Sequence, residues 1–283
     1  YGGELRTDAG VEQILVRNDE VSGVAFSTGE EIKADIVVSA MDVKRTFLEC
    51  MDENDLDPDF YHRVKHFKIR GSSGKVNMAL GGLPTFPALP SNSPLLDGDL
   101  HFTDSMERLE RAYDDWKAGT WSRDPYIDLT IPTLHDPTMA PPGKHYVNCF
   151  IQYCPAKIEG RDWTEEERLQ FGQTVIDQIA EYSPDFKGLI EHVEIRTPAV
   201  IEDEIGMTEG NIFHGELTMD QLMFNRPIPG CAQYRGPLGG LYLCGSSTHP
   251  GGGVMAAPSC NAARENLIDL KRPDITPVNF GDD

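Results

Sequence analysis

The sequence predicts a mixed fold, part α/β and part α+β, on the strength of three stretches. Residues 241–244 are a short apolar run, followed by Gly245, a polar turn, three consecutive glycines and then small and apolar residues reaching Ile268. Strand, glycine turn and helix in that order bring bare backbone N–H groups and a positive helix end toward an anion or an electron-rich ring. Residues 11–40 read as consecutive strands. The last of them, 34–40, has an apolar β-branched centre suited to a buried strand of a parallel sheet. Residues 76–196 alternate helical and strand patterns with interleaved aromatics, which suits a separate α+β unit. At 283 residues the chain exceeds one typical core, so two packed units are expected.

The elements follow in order. Residues 11–17 form a strand closed by the turn signal Asn18-Asp19, and 21–27 alternate apolar and polar residues before the turn at 28–30. Residues 31–33 make a short return strand that leads into 34–40. Asp42 can cap a helix carrying Phe47, Leu48 and Met51 on one side. Residues 55–68 look helical with Pro58 early, and 76–80 begin a new strand. The proline-rich stretch 81–95 is a connection. Asp104 with Glu107 reads as a capping box for a helix presenting Met106, Leu109, Tyr113 and Trp116 on one face. Residues 126–131 and 145–153 are strands, the second alternating and rich in aromatics. Thr164 and Glu167 form another capping box, opening a helix with Leu169, Val175, Ile176 and Ile179 inward. Residues 190–196 are a strand.

Composition narrows the partners. Acidic residues outnumber basic ones by 46 to 25, giving a net charge of −21, which repels nucleic acid and anionic headgroups. No apolar run approaches the roughly 18 residues of a membrane span. The sequence opens on Tyr1 with no signal peptide, which suggests a fragment or a processed form. The six cysteines form no Cys-x-x-Cys pair, and the eight histidines show no metal-site spacing. Reduced thiols in a cytoplasmic protein, and no metal, are the expectation. Gly71-Ser-Ser-Gly74-Lys75 is no phosphate loop, because Ile69 stands where a glycine is needed and Val76 follows the lysine.

From Gly240 through Val254 the string Gly-Leu-Tyr-Leu-Cys-Gly-Ser-Ser-Thr-His-Pro-Gly-Gly-Gly-Val closely resembles the C-terminal flavin-contacting motif of phytoene-desaturase-like FAD oxidoreductases. The run Asn211-Ile-Phe-His-Gly215, then Asp220-Gln221, then Arg226-Pro227-x-Pro229-Gly230, resembles the phytoene-dehydrogenase-related branch of that family. The likeness covers residues 195–267 well and 2–48 fairly, while the middle resembles the family in outline. Cys231 departs from a frequent tryptophan, and Pro258 must sit in a first helical turn or kink the helix.

This resemblance implies the C-terminal part of an FAD-binding Rossmann-like domain plus an α+β substrate domain. The implied boundaries are 1–70 for the partial FAD-binding domain, 71–235 for the substrate domain and 236–283 for the return to the first. It also implies FAD as the cofactor. The family's Gly-x-Gly-x-x-Gly fingerprint, on which the pyrophosphate rests, is missing from these residues, so the chain alone is expected to bind FAD weakly or not at all. The cofactor-binding positions implied are Val11 beside the adenine, Ser39 and Ala40 under the cofactor, and Gly245, Ser246, His249, Pro250, Gly251, Gly252, Gly253 and Val254 at the other end. His249 and His214 are the candidates for contact with flavin or substrate, and a structural histidine is the rival reading for both.

Two function classes follow. One is the C-terminal part of an FAD-dependent dehydrogenase or desaturase acting on an apolar or amine-like small molecule. The other is a non-catalytic fragment or subunit that binds an apolar ligand, or a partner chain supplying the nucleotide-binding half. Self-association into a homo-oligomer is expected of a sheet left open in this way.

Overall fold

The computed structural model describes residues 2–90 and 93–271. Its strands are β1 (Val11–Arg17), β2 (Glu20–Phe26), β3 (Glu31–Lys33), β4 (Val37–Ser39), β5 (Ser73–Leu80), β6 (Leu100–His101), β7 (Tyr126–Thr130), β8 (His145–Gln152), β9 (Ile190–Arg196) and β10 (Leu241–Leu243). Its α-helices are α1 (Pro58–Lys65), α2 (Met106–Lys117), α3 (Glu165–Tyr182), α4 (Phe186–Leu189), α5 (Pro198–Ile205) and α6 (Ala257–Asp269). The chain forms two compact units, one comprising residues up to Ile69 and from Ile212 onward, the other Arg70–Asn211.

In the first unit β1, β2 and β3 make an antiparallel meander, and β4 pairs in parallel with β10. The core gathers Ile14, Val21, Phe47, Val64, Leu241 and Leu243, all nearly solvent-free. Burial of such side chains supplies about 1.5–3 kcal/mol each before entropy is counted. Helix α6 is tied to β10 by polar contacts at its far end. Arg235 Nε and the Tyr242 hydroxyl donate to Asp269 Oδ2 at 2.8 and 2.7 Å. Those bonds hold the Asp269 carboxyl below its usual range, Arg235 contributing most.

The second unit is a five-stranded antiparallel sheet in the order β6-β7-β8-β5-β9. Alternation decides its faces. Val76 and Met78 on β5, Ile127 and Leu129 on β7, and Val147 and Ile151 on β8 are buried. They form one core with Phe171, Val175 and Ile179 of α3. Glycine 74 belongs to this packing, since a Cβ there would lie 2.8 Å from the Phe171 ring.

Several local readings need correction. Helix α2 is capped by Ser105, whose Oγ accepts from Arg108 N at 3.2 Å, and not by the Asp104–Glu107 pair. Asp104 turns instead to the Arg108 guanidinium. With the helix starting at Met106, that residue is solvent-exposed, and the buried stripe is Ala112 and Trp116. Leu169 of α3 is also exposed, because the inward face runs through Phe171, Gly172, Val175, Ile176 and Ile179. The Thr164–Glu167 capping box is present in both directions. Residues 212–235, grouped by sequence with the central unit, pack in the first unit, where Arg226 anchors them.

Candidate functional site

The parallel pair β4–β10 fixes a common end for two chain segments. Leu243 faces Ser39 in register, and Cys244 N donates to Ser39 O at 2.9 Å. The next residues, Ala40 and Gly245, are therefore adjacent at the carboxyl ends of the strands, where open α/β sheets place their ligands. A Cβ on Gly245 would sit 2.4 Å from Ala40 O, so only glycine allows this approach. Ser39 Oγ is hydrogen-bonded to Thr46 Oγ1 at 2.8 Å. Asp42 Oδ1 caps the helical turn that follows, accepting from Lys44 N and Arg45 N.

Beyond Gly245 the chain makes a knotted turn. Thr248 Oγ1 and N both donate to Gly245 O, and Gly251 N donates to Thr248 O at 2.7 Å. Ser247 Oγ donates to His214 O at 2.8 Å and accepts from Val43 N. The Tyr234 hydroxyl donates to His249 O at 2.9 Å and accepts from Asn261 Nδ2 of α6. The loop backbone is thus held from three directions, leaving Pro250 and Gly253 exposed and Gly251 buried.

Arg226 holds the floor of this turn. Its side chain is fully buried, and its guanidinium donates to the carbonyls of Phe213, Gly215, Glu216, Gln221 and Ser246. Burial pulls its pKa down to about 10, which still leaves it charged at neutral pH. A buried cation satisfied by carbonyl dipoles stitches the segment 213–221 to the residue after Gly245.

His214, in the same segment, has a left-handed backbone with φ 53°. Its Nδ1 is buried without a hydrogen-bond partner among the described residues. Burial lowers its pKa from the ordinary value; Asp42 opposes that shift and Arg226 adds to it.

The structure thus brings Ser39, Ala40, Gly245, Ser246 and Gly252 into one neighbourhood with His214. A Cβ on Gly252 would meet the Phe213 ring at 2.7 Å and Ser246 Oγ at 3.4 Å. Val254 and Met255 project into solvent. The glycines do not open the final helix directly, contrary to the strand–turn–helix reading. Residues 254–256 intervene, Ala256 takes a left-handed conformation, and no side chain caps α6. Pro258 lies in its first turn, as its missing N–H requires. Val11 sits at the start of β1, its carbonyl accepting from Cys50 Sγ at 3.8 Å. No hydrogen bond among the described residues joins it to the glycine loop.

Sequence reasoning missed Arg226, Phe213 and Ser247 as organisers of the site. It also missed a cluster on the second unit, where Asp99, His101 and Asp128 bring ligand-type atoms within 4.8 Å of one another. Pairing of His101 with Asp128 across β6 and β7 creates that cluster, so no linear spacing announces it.

No family model matches the chain. It is 38% identical over 280 residues to the pyridine nucleotide-disulfide oxidoreductase domain-containing protein 2 of Rattus norvegicus, covering 96% of this chain and 48% of that protein. It is 25% identical over 272 residues to the lycopene-forming phytoene desaturase of Pseudescherichia vulneris, covering 94% and 51%. The chain's homologues are oxidoreductases, phytoene-desaturase-like enzymes among them. It spans about half the length of the curated relatives it matches. A putrescine oxidase triple mutant shares the fold, with a TM-score of 0.50 and 12% identity over 93% of this chain and 49% of that one. The fold class expected from the sequence, the C-terminal part of an FAD-binding domain with an α+β unit, agrees with that likeness. Among the described residues no helix is long and apolar enough to cross a membrane.

Proposed function

We propose that these residues form the C-terminal part of an FAD-dependent oxidoreductase of the dehydrogenase or desaturase type, acting on an apolar or amine-like small molecule. One observation carries the reading. Two parallel strands end side by side at Ala40 and Gly245, under a glycine loop pinned by the buried Arg226. A group with an electron-rich ring and polar edges fits what lies there. Helix α6 starts without a side-chain cap, so its first amides and its dipole suit negative charge. The buried Nδ1 of His214 has no partner.

Bound flavin would supply the oxidant, accepting a hydride equivalent from the substrate. This chain's own residues do the positioning. Ser39, Ala40 and Gly245 give a flat backbone floor, Ser246 and Gly251–Gly253 the loop edge, and His214 and His249 are the histidines proposed to contact flavin or substrate. Val11 is the residue proposed for the adenine end, and the unit Arg70–Asn211 is proposed as the substrate domain.

Exposed apolar residues in the first unit favour a second component of this reading. Val38 of β4 is 50% exposed although its neighbour in register, Tyr242, is buried, and Leu217, Met219, Met223, Phe224, Val254 and Met255 are also exposed. Such surface suits a further segment or partner chain supplying the nucleotide-binding half.

Flavin titration tests the proposal. Expressed within its complete reading frame, the protein is expected to purify yellow, and Gly245→Val is expected to remove the colour. These residues alone are expected to quench flavin fluorescence weakly, since several charge-assisted bonds to the pyrophosphate, each about 1.5–3 kcal/mol, are missing. A colourless full-length protein that never reconstitutes with FAD would overturn the oxidoreductase reading. Saturable sub-micromolar binding by the isolated monomer would overturn the division of the site.

A further inference from the structure

The face of the five-stranded sheet opposite α3 carries polar groups that the unit leaves unsatisfied. Register places them in two rows. In the first, His101, Asp128, Phe150, Lys75 and Arg196 lie side by side across β6, β7, β8, β5 and β9. In the second, Thr130, Asn148, Asn77 and Glu194 lie side by side across β7, β8, β5 and β9. All share the face that alternates with the buried core positions.

Several of these groups are already used. Arg196 is paired with Glu194 and Glu204, each at 2.9 Å. Asn77 Nδ2 donates to Glu194 Oε2 at 2.9 Å; a carboxylate can only accept, so the opposite oxygen of Asn77 is fixed as a free acceptor. That oxygen, Asn148 Oδ1 and Asp128 Oδ1 are all buried without a hydrogen-bond partner among the described residues. Three neighbouring orphan acceptors on one sheet face are costly, and a donor arriving from a ligand removes the cost. Lys75 is half-buried and has no ion-pair partner among the described residues. Burial lowers its pKa, and burial together with Asp99 raises that of Asp128; His101 and Lys75 oppose the latter shift. His101 is itself engaged by the Tyr126 hydroxyl.

Lys75 and Asp128 are both register partners of Phe150, one on each side. Adjacent strands lie about 4.8 Å apart, so their Cα atoms stand roughly 10 Å apart with an aromatic ring between. An unpaired cation, an aromatic floor and an anionic pole of Asp128 and Asp99 form a line. We propose that this face binds a small organic molecule with an ammonium end and a carboxylate end separated by an apolar body. The ammonium meets Asp128 and Asp99, the body lies on Phe150, and the carboxylate meets Lys75.

The test needs no flavin, so it succeeds or fails apart from the oxidoreductase reading. Isothermal titration of the whole chain compares 6-aminohexanoate, hexylamine and hexanoate. Each end adds a charge-assisted hydrogen bond, so 6-aminohexanoate is expected to bind at least about tenfold more tightly than either single-ended analogue. Lys75→Met is expected to reduce it to the affinity of hexylamine, and Asp128→Asn to that of hexanoate. Because the first comparison uses the unaltered protein, it decides the matter even where a variant folds poorly. Equal binding of all three probes, or none, would overturn the proposal. So would saturable manganese binding lost in Asp128→Asn without a response to any organic probe, which would assign Asp99, His101 and Asp128 to a cation.

Discussion

The guanidinium of Arg226 donates twice to the carbonyl of Ser246, from Nε at 3.0 Å and from Nη2 at 2.9 Å. The same Nη2 reaches Phe213 O at 2.7 Å. One side chain therefore sets the distance between the strand-end loop and the segment carrying His214. Arg226→Met keeps the bulk and removes every donor, leaving buried carbonyls to find other partners. Losing them costs about 3–5 kcal/mol, enough to unfold a marginal unit. Arg226→Lys retains charge but not the planar fork, and is expected to recover less than half of the loss. Chemical denaturation of the three proteins checks this; a lysine variant as stable as the parent would show that charge alone matters.

Gly245 is the tightest backbone approach at the strand ends. A Cβ would lie 2.4 Å from Ala40 O and 2.9 Å from Ala40 C, both backbone atoms that cannot rotate away. Gly245→Ala is expected to separate the ends of β4 and β10 and to cost about 2–4 kcal/mol, the range of overpacking in a rigid site. Hydrogen exchange at Cys244, whose amide bonds Ser39 O, reports the separation directly. Unchanged protection there would mean that the strands shift together without cost.

His214 sets a pH dependence whose sign follows from its environment. Its folded pKa lies below the ordinary value, so the folded chain binds fewer protons than the unfolded one. The contribution is harmless above the unfolded value of about 6.5 and becomes destabilising as pH falls through it. The unfolding midpoint is expected to drop between about pH 7 and about pH 5, and to drop less in His214→Asn. Asparagine tolerates the left-handed backbone at this position, so the comparison isolates the imidazole. Equal slopes in the two proteins would show that another group titrates.

Thr164 offers a cleaner measurement, since its cap is local. Its Oγ1 accepts from Glu167 N at 3.2 Å while Glu167 Oε2 accepts from Thr164 N at 2.9 Å. Thr164→Ala is expected to cost about 1 kcal/mol by thermal denaturation. Glu167 also binds the Arg161 guanidinium, so the carboxylate stays placed when the hydroxyl is removed.

That capping box was legible because its partners are three residues apart, and β9 was legible at residues 190–196 for a similar reason. Local hydrogen bonds and alternation leave a linear trace. Arg226 leaves none. Its partners are main-chain carbonyls from residues 213 to 246, which any residue supplies, so no charge pattern marks it. The inward stripe of α3 was misread at Leu169 because leucine suits an exposed helix face as readily as a core. The pairing of β4 with β10 joins residues about 200 positions apart, and neither strand's own pattern names its partner. The polar face shared by Lys75, Asp128 and Asn77 arises from strand order, which alternation alone leaves open.

Gly251 and Gly252 are adjacent but need glycine for different reasons, and a double-mutant cycle separates them. Gly251 has φ 106°, and a Cβ there would find its nearest atom at 3.7 Å, so Gly251→Ala is penalised by backbone strain of about 1–3 kcal/mol and not by contact. Gly252 has no such backbone, but its Cβ would lie 2.7 Å from the Phe213 ring and 3.3 Å from Phe213 Cα. Gly252→Ala must therefore displace the ring. Shortening that ring to Phe213→Leu opens the space, so Gly252→Ala and Phe213→Leu are expected to couple favourably, by about 0.5–3 kcal/mol. Gly251→Ala and Phe213→Leu are expected to add without coupling, because the leucine does nothing for a strained φ. Denaturation midpoints of the parent, the three single variants and the two double variants supply both cycles. Equal coupling in the two would mean that the loop relaxes as one body, and the separate roles assigned to these glycines would fall.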